Sequence, residues 1–494
     1  MDFATYRSYD ALGMADLVKT KQVKAEELFE IALERIGEVN PMINAVVHDL
    51  SELGRSMVKD YPDQGIFSGV PFLIKDLGYH IKGCPLTKGS TGWKNYISEE
   101  DGYLTKKLRQ AGLVFLGRTN TPELGLTPFT EPALYGPTRN PWHTDRSAGG
   151  SSGGSGAAVA AGIVPMATAS DGGGSIRIPA SCNGLFGIKP SRGRMSYGPQ
   201  SGEGWAGAVV DNVVSRSVRD SAAFLDTMMG YGPGDPYLIQ KPARSYLEEL
   251  KETTPKLKIG FSTKHTLGSQ IDAECVKAVE QTAQLLQDLG HEVEEVQLPY
   301  YKEDLTKTFL YIILTETAAT VDELGHHLGR KVIPGKDVEP NTYIQYLLGK
   351  TFSGMEYAIC KRKWNEICRR IAQYHQSYDL LLTTVVSSPP FEIGALQPTP
   401  AEQRLVSFIN TVKMGSLVKA NIEQLADKIF QYIPYTAFAN MTGQPSMSVP
   451  LHWTAEGLPV GLMFSAAMGR EDMLFKLAKQ LEEAKPWFDR VPEL

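Results

Sequence analysis

The stretch Arg146-Ser147-Ala148-Gly149-Gly150-Ser151-Ser152-Gly153-Gly154-Ser155-Gly156 leads through an apolar run to Asp171-Gly172-Gly173-Gly174-Ser175-Ile176-Arg177. Glycine loses more backbone entropy on folding than any other residue, so this density needs a physical reason. Backbone N–H groups that must approach a ligand or a developing negative charge supply one. Serines beside such a loop are candidate nucleophiles. A flexible Gly/Ser linker is the competing reading. It fails because Ala157-Ala158-Val159-Ala160-Ala161-Gly162-Ile163-Val164 follows at once, and linkers do not continue into a buried apolar helix.

Outward from this tract, helix and strand alternate. Ala11, Met14, Leu17 and Val18, then Leu28, Ile31, Ala32 and Ile36, recur at helical spacing and predict two helices over residues 8–40, stopped at Asn40-Pro41. Ile43-Asn44-Ala45-Val46-Val47 reads as a first strand, and 67–77 holds a short apolar strand ending in Lys75-Asp76. Further expectations are helices over 103–112, 157–162 and 272–289, and strands over 114–117, 257–261, 293–296 and 380–385. The chain closes on a strand pair around Gly457-Leu458-Pro459-Val460-Gly461-Leu462-Met463-Phe464, then a helix over 471–484 with Met473, Leu474, Leu477 and Leu481 on one face. This pattern predicts an α/β fold with a mixed, mostly buried central sheet covered by helices. No linker-like composition or internal repeat divides the chain, so 1–494 reads as a single large domain. Its expected parts are N-terminal helices over 1–60, a core over 70–220, and helical excursions over 300–375 and 397–433 near the substrate entrance.

Composition narrows the function. The 494 residues are 42% hydrophobic and 21% charged, ordinary for a soluble globular protein. A net charge of −6, without a Lys/Arg block, argues against nucleic acid, whose binders present a basic face. The N-terminus lacks a basic segment followed by an apolar one, so no secretory signal is expected. The longest apolar run, 157–167, is too short to span a bilayer and is broken by Gly162 and Pro165, so no membrane partner is expected. Cys84, Cys182, Cys275, Cys360 and Cys368 are odd in number and dispersed, which points to reduced thiols and a cytoplasmic location. No H-E-x-x-H or C-x-x-C occurs, so neither metal nor cofactor is expected.

Four pieces recur together: Pro71-Phe72-Leu73-Ile74-Lys75-Asp76, Gly149-Gly150-Ser151-Ser152-Gly153-Gly154, the tract from Asp171 to Arg177, and Gly187-Ile188-Lys189-Pro190. With these the chain resembles the amidase signature family, nearly end to end. Thr119-Asn120-Thr121-Pro122-Glu123, Thr138-Arg139-Asn140-Pro141-Trp142, Arg216-Ser217-Val218-Arg219-Asp220, Thr442-Gly443-Gln444-Pro445 and Gly469-Arg470-Glu471-Asp472 belong to the same ordered set. The resemblance implies a Ser–cis-Ser–Lys triad of Ser175, Ser151 and Lys75, with a cis peptide before Ser151, where Gly150 stands. The family commonly has threonine at Gly172 and a phenylalanine-cysteine pair near Cys182-Asn183; the smaller Gly172 predicts a looser loop.

The roles also follow from chemistry. Serine is a poor nucleophile without an adjacent base, and no His/Asp pair lies near these loops in sequence. Lysine is left as the base, and it serves only when burial makes it neutral, as the apolar Phe72-Leu73-Ile74 suggests. Ser151 would relay the proton between Lys75 and Ser175, its spacing to Ser175 favouring it over Ser152. N–H groups of Gly172, Gly173, Gly174 and Ser175 would form an oxyanion hole, each donor worth about 3–4 kcal/mol in the transition state. Ser152, Asp171 and Arg177 would support the loops. Lys189, beside Pro190, reads as structural, and Cys182 as a small buried residue. Asp76 should face away from Lys75, since neighbours in a strand point to opposite faces.

Other classes fit less well. Gly149-Gly150-Ser151-Ser152-Gly153 matches the G-x-S-x-G nucleophile elbow, but a polar turn precedes it and His375 and His452 lack a supporting loop signature. A phosphate-binding module would need G-x-x-x-x-G-K-[ST]. A subunit of the amidotransferase that makes aminoacyl-tRNA amides shares the signature, and esterase or carbamate chemistry is open on the same fold. The C-terminal third resembles free-standing bacterial amidases, and Arg118-Thr119-Asn120-Thr121-Pro122-Glu123 and Arg177-Ile178-Pro179-Ala180-Ser181 resemble hydrolases of the 6-aminohexanoate cyclic dimer, a nylon oligomer. The resemblance implies that Gly125 and Leu126 face the substrate. Leu126 is apolar where that hydrolase has a polar residue, so a small aliphatic, aromatic or cyclic amide is expected. The N-terminal helices and 301–374 are expected either to cover the substrate funnel or to build a homodimer.

Overall fold

The structure is a computed structural model that describes residues 1–62, 64–399, 402–404, 409 and 422–494, and only the backbone of 422–426. Its strands are β1 Val46–Asp49, β2 Pro71–Lys75, β3 Val114–Thr119, β4 Arg139–Asn140, β5 His143–Ser147, β6 Met166–Asp171, β7 Phe186–Lys189, β8 Val210–Ser215, β9 Lys258–Phe261, β10 Glu292–Glu295, β11 Leu380–Thr384, β12 Ser446–Trp453 and β13 Pro459–Ala466. Apart from the small β4–β5 pair, they form one sheet in the order β1-β3-β2-β6-β8-β7-β12-β13-β11-β9-β10. Strand β2 runs parallel to β3 and β6, and β9 parallel to β10 and β11; the other neighbours are antiparallel. The mixed sheet expected from the alternating pattern is therefore present, with helices on both faces.

Burial explains its composition. Every residue of β2, β3, β6, β7, β8, β11 and β13 is buried, as strands covered on both sides require. The edge strand β10, Glu292-Val293-Glu294-Glu295, is mostly exposed, and its carboxylates guard an edge that could otherwise pair with another chain.

Two expectations are corrected. The helix Ala25–Ile43 runs through Pro41 instead of stopping before it. Pro41 lies in the last turn, where its missing donor forfeits one bond, and the Asn40 side chain secures the exit by accepting from the N–H groups of Ala45 and Val46 at 2.8 Å. The first strand consequently begins at Val46, not at Ile43. The glycines after Ser152 are packing glycines. The helix Gly153–Ala160 sits so close to its neighbours that a Cβ on Gly154 would lie 2.4 Å from the Asn120 nitrogen, and one on Gly156 2.6 Å from the Asn183 side chain.

The segment 300–375 is helical as expected, with helices Leu310–Leu328, Pro340–Gly349 and Gly354–Tyr374. Part of it builds small cores of its own, one joining Trp93 and Leu124 to Val321, Leu324 and Tyr343. The expected excursion over 397–433 lies largely outside the described residues; within it the helix Ile422–Tyr432 is present. Among the described residues no helix is long and apolar enough to cross a membrane.

Candidate active site

Parallel neighbours β2 and β6 end on the same edge of the sheet, which brings Lys75 beside Ser170 and Asp171. Lys75 is fully buried, and its Nζ lies 2.7 Å from Ser151 Oγ, 2.9 Å from Ser152 Oγ and 2.8 Å from Ser170 Oγ. An ammonium would donate to all three. A neutral amine has two donors and one lone pair, so one hydroxyl must then donate to it. Burial pulls Lys75 down to about 7, against the opposing pull of Asp211 and Asp171. The main chain of Lys75 is pinned as well, its N–H donating to Thr168 Oγ1 at 2.7 Å. Asp76 faces away as expected, bonded to the N–H and hydroxyl of Thr87 and ion-paired with Arg118 at 3.8 Å.

The Gly150–Ser151 peptide is cis. A Cβ on Gly150 would lie 2.6 Å from the Phe129 nitrogen, so only glycine fits there. Gly125 adopts φ +70°, and a Cβ on it would come within 3.3 Å of Ser151 Oγ, which places Gly125 against the serine. Leu126 packs on the satellite core of Trp93, Leu124 and Val321. Ser152 does more than support the loop, because its hydroxyl bonds Lys75 as well as the Ser170 N–H at 3.3 Å.

The second loop is built around Asp171. Arg177 bonds it through Nε at 3.0 Å and Nη2 at 2.9 Å, with both side chains fully buried. The guanidinium and its hydrogen bonds overcome burial and hold the Asp171 carboxyl at about 2. This carboxylate also takes the N–H groups of Gly174 at 2.7 Å and Ile176 at 3.2 Å. That corrects one expected oxyanion donor: the Gly174 N–H is committed to Asp171. The N–H groups of Gly172, Gly173 and Ser175 have no partner among the described residues, nor does the Ser175 hydroxyl, and Gly173 and Ser175 are partly exposed. Nor is the loop loose at Gly172. The Trp205 ring fills the space a side chain would take, with Cε3 and Cζ3 2.8 Å from the position of a Cβ. Phe309 flanks Gly173 in the same way at 3.2 Å.

Several partners were invisible in the sequence. Thr436 Oγ1 donates to the Gly173 carbonyl at 2.6 Å, and Asn440 Nδ2 donates to the Asp171 carbonyl at 2.8 Å and to its Oδ1 at 2.9 Å. They lie some 260 residues downstream of the loop, without a local signal. Ser170 directly precedes the tract from Asp171 to Arg177, which is the one local signal it carries. Lys189 Nζ donates to the Pro190 carbonyl at 2.8 Å, and Cys182 is buried with its thiol pushed up to about 12, so both fit the structural roles expected of them. His452 bonds Glu274 at 2.7 Å and His375 bonds Gln444 at 3.2 Å; neither bonds the serine loops, which removes the nucleophile-elbow reading. Among the described residues no group of three or more His, Cys, Asp or Glu could hold a metal ion.

Residues 27–475 match the sequence pattern of the family described as Amidase, and the chain belongs to the amidase signature family: it is an amidase. It is 36% identical to the 6-aminohexanoate-cyclic-dimer hydrolase of Paenarthrobacter ureafaciens, over 98% of this chain and 96% of that protein. It is 34% identical to a putative amidase, AmiC, of Mycobacterium tuberculosis, over 97% and 95% of the two chains. Among solved structures, a 6-aminohexanoate cyclic dimer hydrolase superposes with a TM-score of 0.87 at 35% identity, covering 98% of each chain. A bacterial aryl acylamidase of the amidase signature family superposes with a TM-score of 0.84 at 25% identity, over 97% of this chain and 98% of the other.

Proposed function

We propose that the protein hydrolyses small amides through an acyl-enzyme on Ser175, with Ser151 as proton relay and Lys75 as base. The observation that carries this reading is the fully buried Lys75 amine, 2.7 Å from the Ser151 hydroxyl. In the acylation step Ser175 Oγ bonds to the carbonyl carbon and the carbonyl π pair moves to oxygen. The Ser175 proton passes to Ser151 Oγ as the Ser151 proton passes to Lys75. The N–H groups of Gly172, Gly173 and Ser175 receive the oxyanion. Collapse breaks the C–N bond, the proton on Lys75 returns through Ser151 to the leaving amine, and water attacking the ester repeats the sequence to release the acid. Ser152 and Ser170 hold the Lys75 nitrogen in place, and Asp171 with Arg177 fixes the loop that carries the donors.

For substrate we favour small aliphatic amides of the cyclic-dimer kind. Similarity to 6-aminohexanoate-cyclic-dimer hydrolases over nearly the whole chain supports this, as does the aromatic wall of Trp205 and Phe309 beside the loop. A fluorophosphonate should label Ser175 alone by mass spectrometry, and Ser175→Ala should lose roughly 10⁴-fold or more in kcat. Label on Ser151, Ser152 or a cysteine would overturn the assignment. The purified chain should cleave the cyclic dimer better than an anilide or a carbamate. Activity that appears only with added partner subunits would favour an amidotransferase.

A further inference from the structure

Asp211 is a buried carboxylate that the proposed reaction leaves unused. It lies on β8 directly across from Ser170 of β6 in an antiparallel pair. Directly opposed residues of such a pair project from the same face, with Cβ atoms about 4.5–5.5 Å apart. Ser170 Oγ is itself 2.8 Å from Lys75 Nζ, so the Asp211 carboxylate stands on the lysine's side of the sheet. Its Oδ1 is buried and has no hydrogen-bond partner among the described residues. An unpartnered carboxylate in the interior is costly and needs a compensating charge.

The groups facing the pair decide which charge that is. Lys75 is faced by Asp211 from β8 and Asp171 from β6, with the hydroxyls of Ser151, Ser152 and Ser170 around its nitrogen. Asp171 is already neutralised by the two bonds from Arg177. Asp211 is faced by Lys75 and by the phenols of Tyr79 and Tyr197, of which only the lysine can carry positive charge. Burial pushes the Asp211 carboxyl upward and Lys75 draws it back.

We propose that Asp211 is the counter-charge for Lys75, a positioning residue that stabilises the ammonium formed when Lys75 accepts the serine proton. The role parallels that of the buried aspartate behind the histidine of a Ser-His-Asp triad, with the charge acting across Ser170 instead of through a direct bond. The inference rests on Lys75 being the base.

The test compares pH profiles of kcat/KM for wild type, Asp211→Asn and Asp211→Glu. A carboxylate beside an amine favours its protonated form, so removing it lowers the lysine pKa. In Asp211→Asn the acidic limb should move down by about one to three pH units. Its plateau kcat should fall tenfold or more with KM nearly unchanged, because the ammonium that forms during acylation loses its partner. Asp211→Glu should restore much of both. A limb at the wild-type pH in Asp211→Asn would overturn the proposal, since a purely structural residue would alter stability and leave the limb in place. A second readout needs no change at Asp211. Coupling between two sites is reciprocal, so replacing Lys75 by methionine should let a protonated carboxyl band of aspartate-labelled protein persist to higher pH in the infrared. Identical carboxyl titrations in wild type and Lys75→Met would also overturn it. A Lys75→Met enzyme with wild-type turnover would refute the base itself, a distinct failure.

Discussion

In the proposed mechanism Lys75 must meet its substrate without a proton, and three hydroxyls around a fully buried nitrogen set the conditions for that. Burial lowers its pKa from the usual lysine range to about 7. Below that value the amine is protonated and cannot accept the serine proton; above it the base form dominates. kcat/KM for amide hydrolysis should therefore rise about tenfold per pH unit up to about pH 7 and level off above it. Lys75→Met should abolish both the limb and the activity. A steady-state profile whose limb lies near pH 10 would mean the amine titrates as if exposed. At this scale the proposed triad is what the sequence offers most directly, because Lys75, Ser151 and Ser175 each sit in a compact local motif, and the structure brings Lys75 and Ser151 within hydrogen-bond distance. Gly174 was misassigned for a reason that spacing cannot reveal: Asp171, three residues earlier, reaches forward and takes its N–H.

Among elements, the loop Asp171–Arg177 and the turn carrying Trp205 form one packed unit. Trp205 and Ala206 hold φ of +47° and +55°, a left-handed pair that places the indole over Gly172. A side chain at Gly172 and the Trp205 ring compete for the same volume, 2.8 Å apart. Gly172→Thr alone should lose about 1–3 kcal/mol of stability through overpacking, with a parallel fall in kcat. In a Trp205→Ala background the same substitution should cost distinctly less, with a coupling of about 1 kcal/mol or more in a thermal-denaturation cycle. Additive losses would mean the indole does not shape the loop. Strands such as β2, β3, β11 and β13 could be read from their apolar runs. Met166-Ala167-Thr168-Ala169-Ser170-Asp171 and Val210-Asp211-Asn212-Val213-Val214-Ser215 escaped because buried polar residues interrupt the pattern, and two of those polar residues, Thr168 and Ser170, bond Lys75.

Across the whole molecule, the site depends on contacts between distant parts of the chain. Asn440 donates to Asp171 twice and to the Ala208 carbonyl at 3.0 Å, and it accepts from Arg177 Nη2 at 2.8 Å. Asn440→Ala would strand several buried polar groups, each costing about 1–3 kcal/mol when left unpaired. We expect a drop of several degrees in Tm and a fall in kcat that exceeds any rise in KM. An unchanged melting curve and rate would show that the loop holds its shape without Asn440. The overall class of fold was legible because alternation and burial act along the whole chain. The neighbours of each strand were not, because β12 and β13 insert between β7 and β11 through pairings that no local stretch encodes.

The sheet order also has a consequence in time. During synthesis Lys75, Ser151 and Ser175 emerge early, while Asn440, 269 residues after Asp171, follows roughly half a minute later at ~10 residues per second. Until then the first half of the sheet ends at β7, whose partner β12 has not yet been made. A ribosome-bound chain can thus display the proposed triad while lacking the residues that hold the loop Asp171–Arg177 in shape. The enzyme should gain its activity only as the last tenth of the polypeptide is completed, which spares the translating cell a half-built hydrolase.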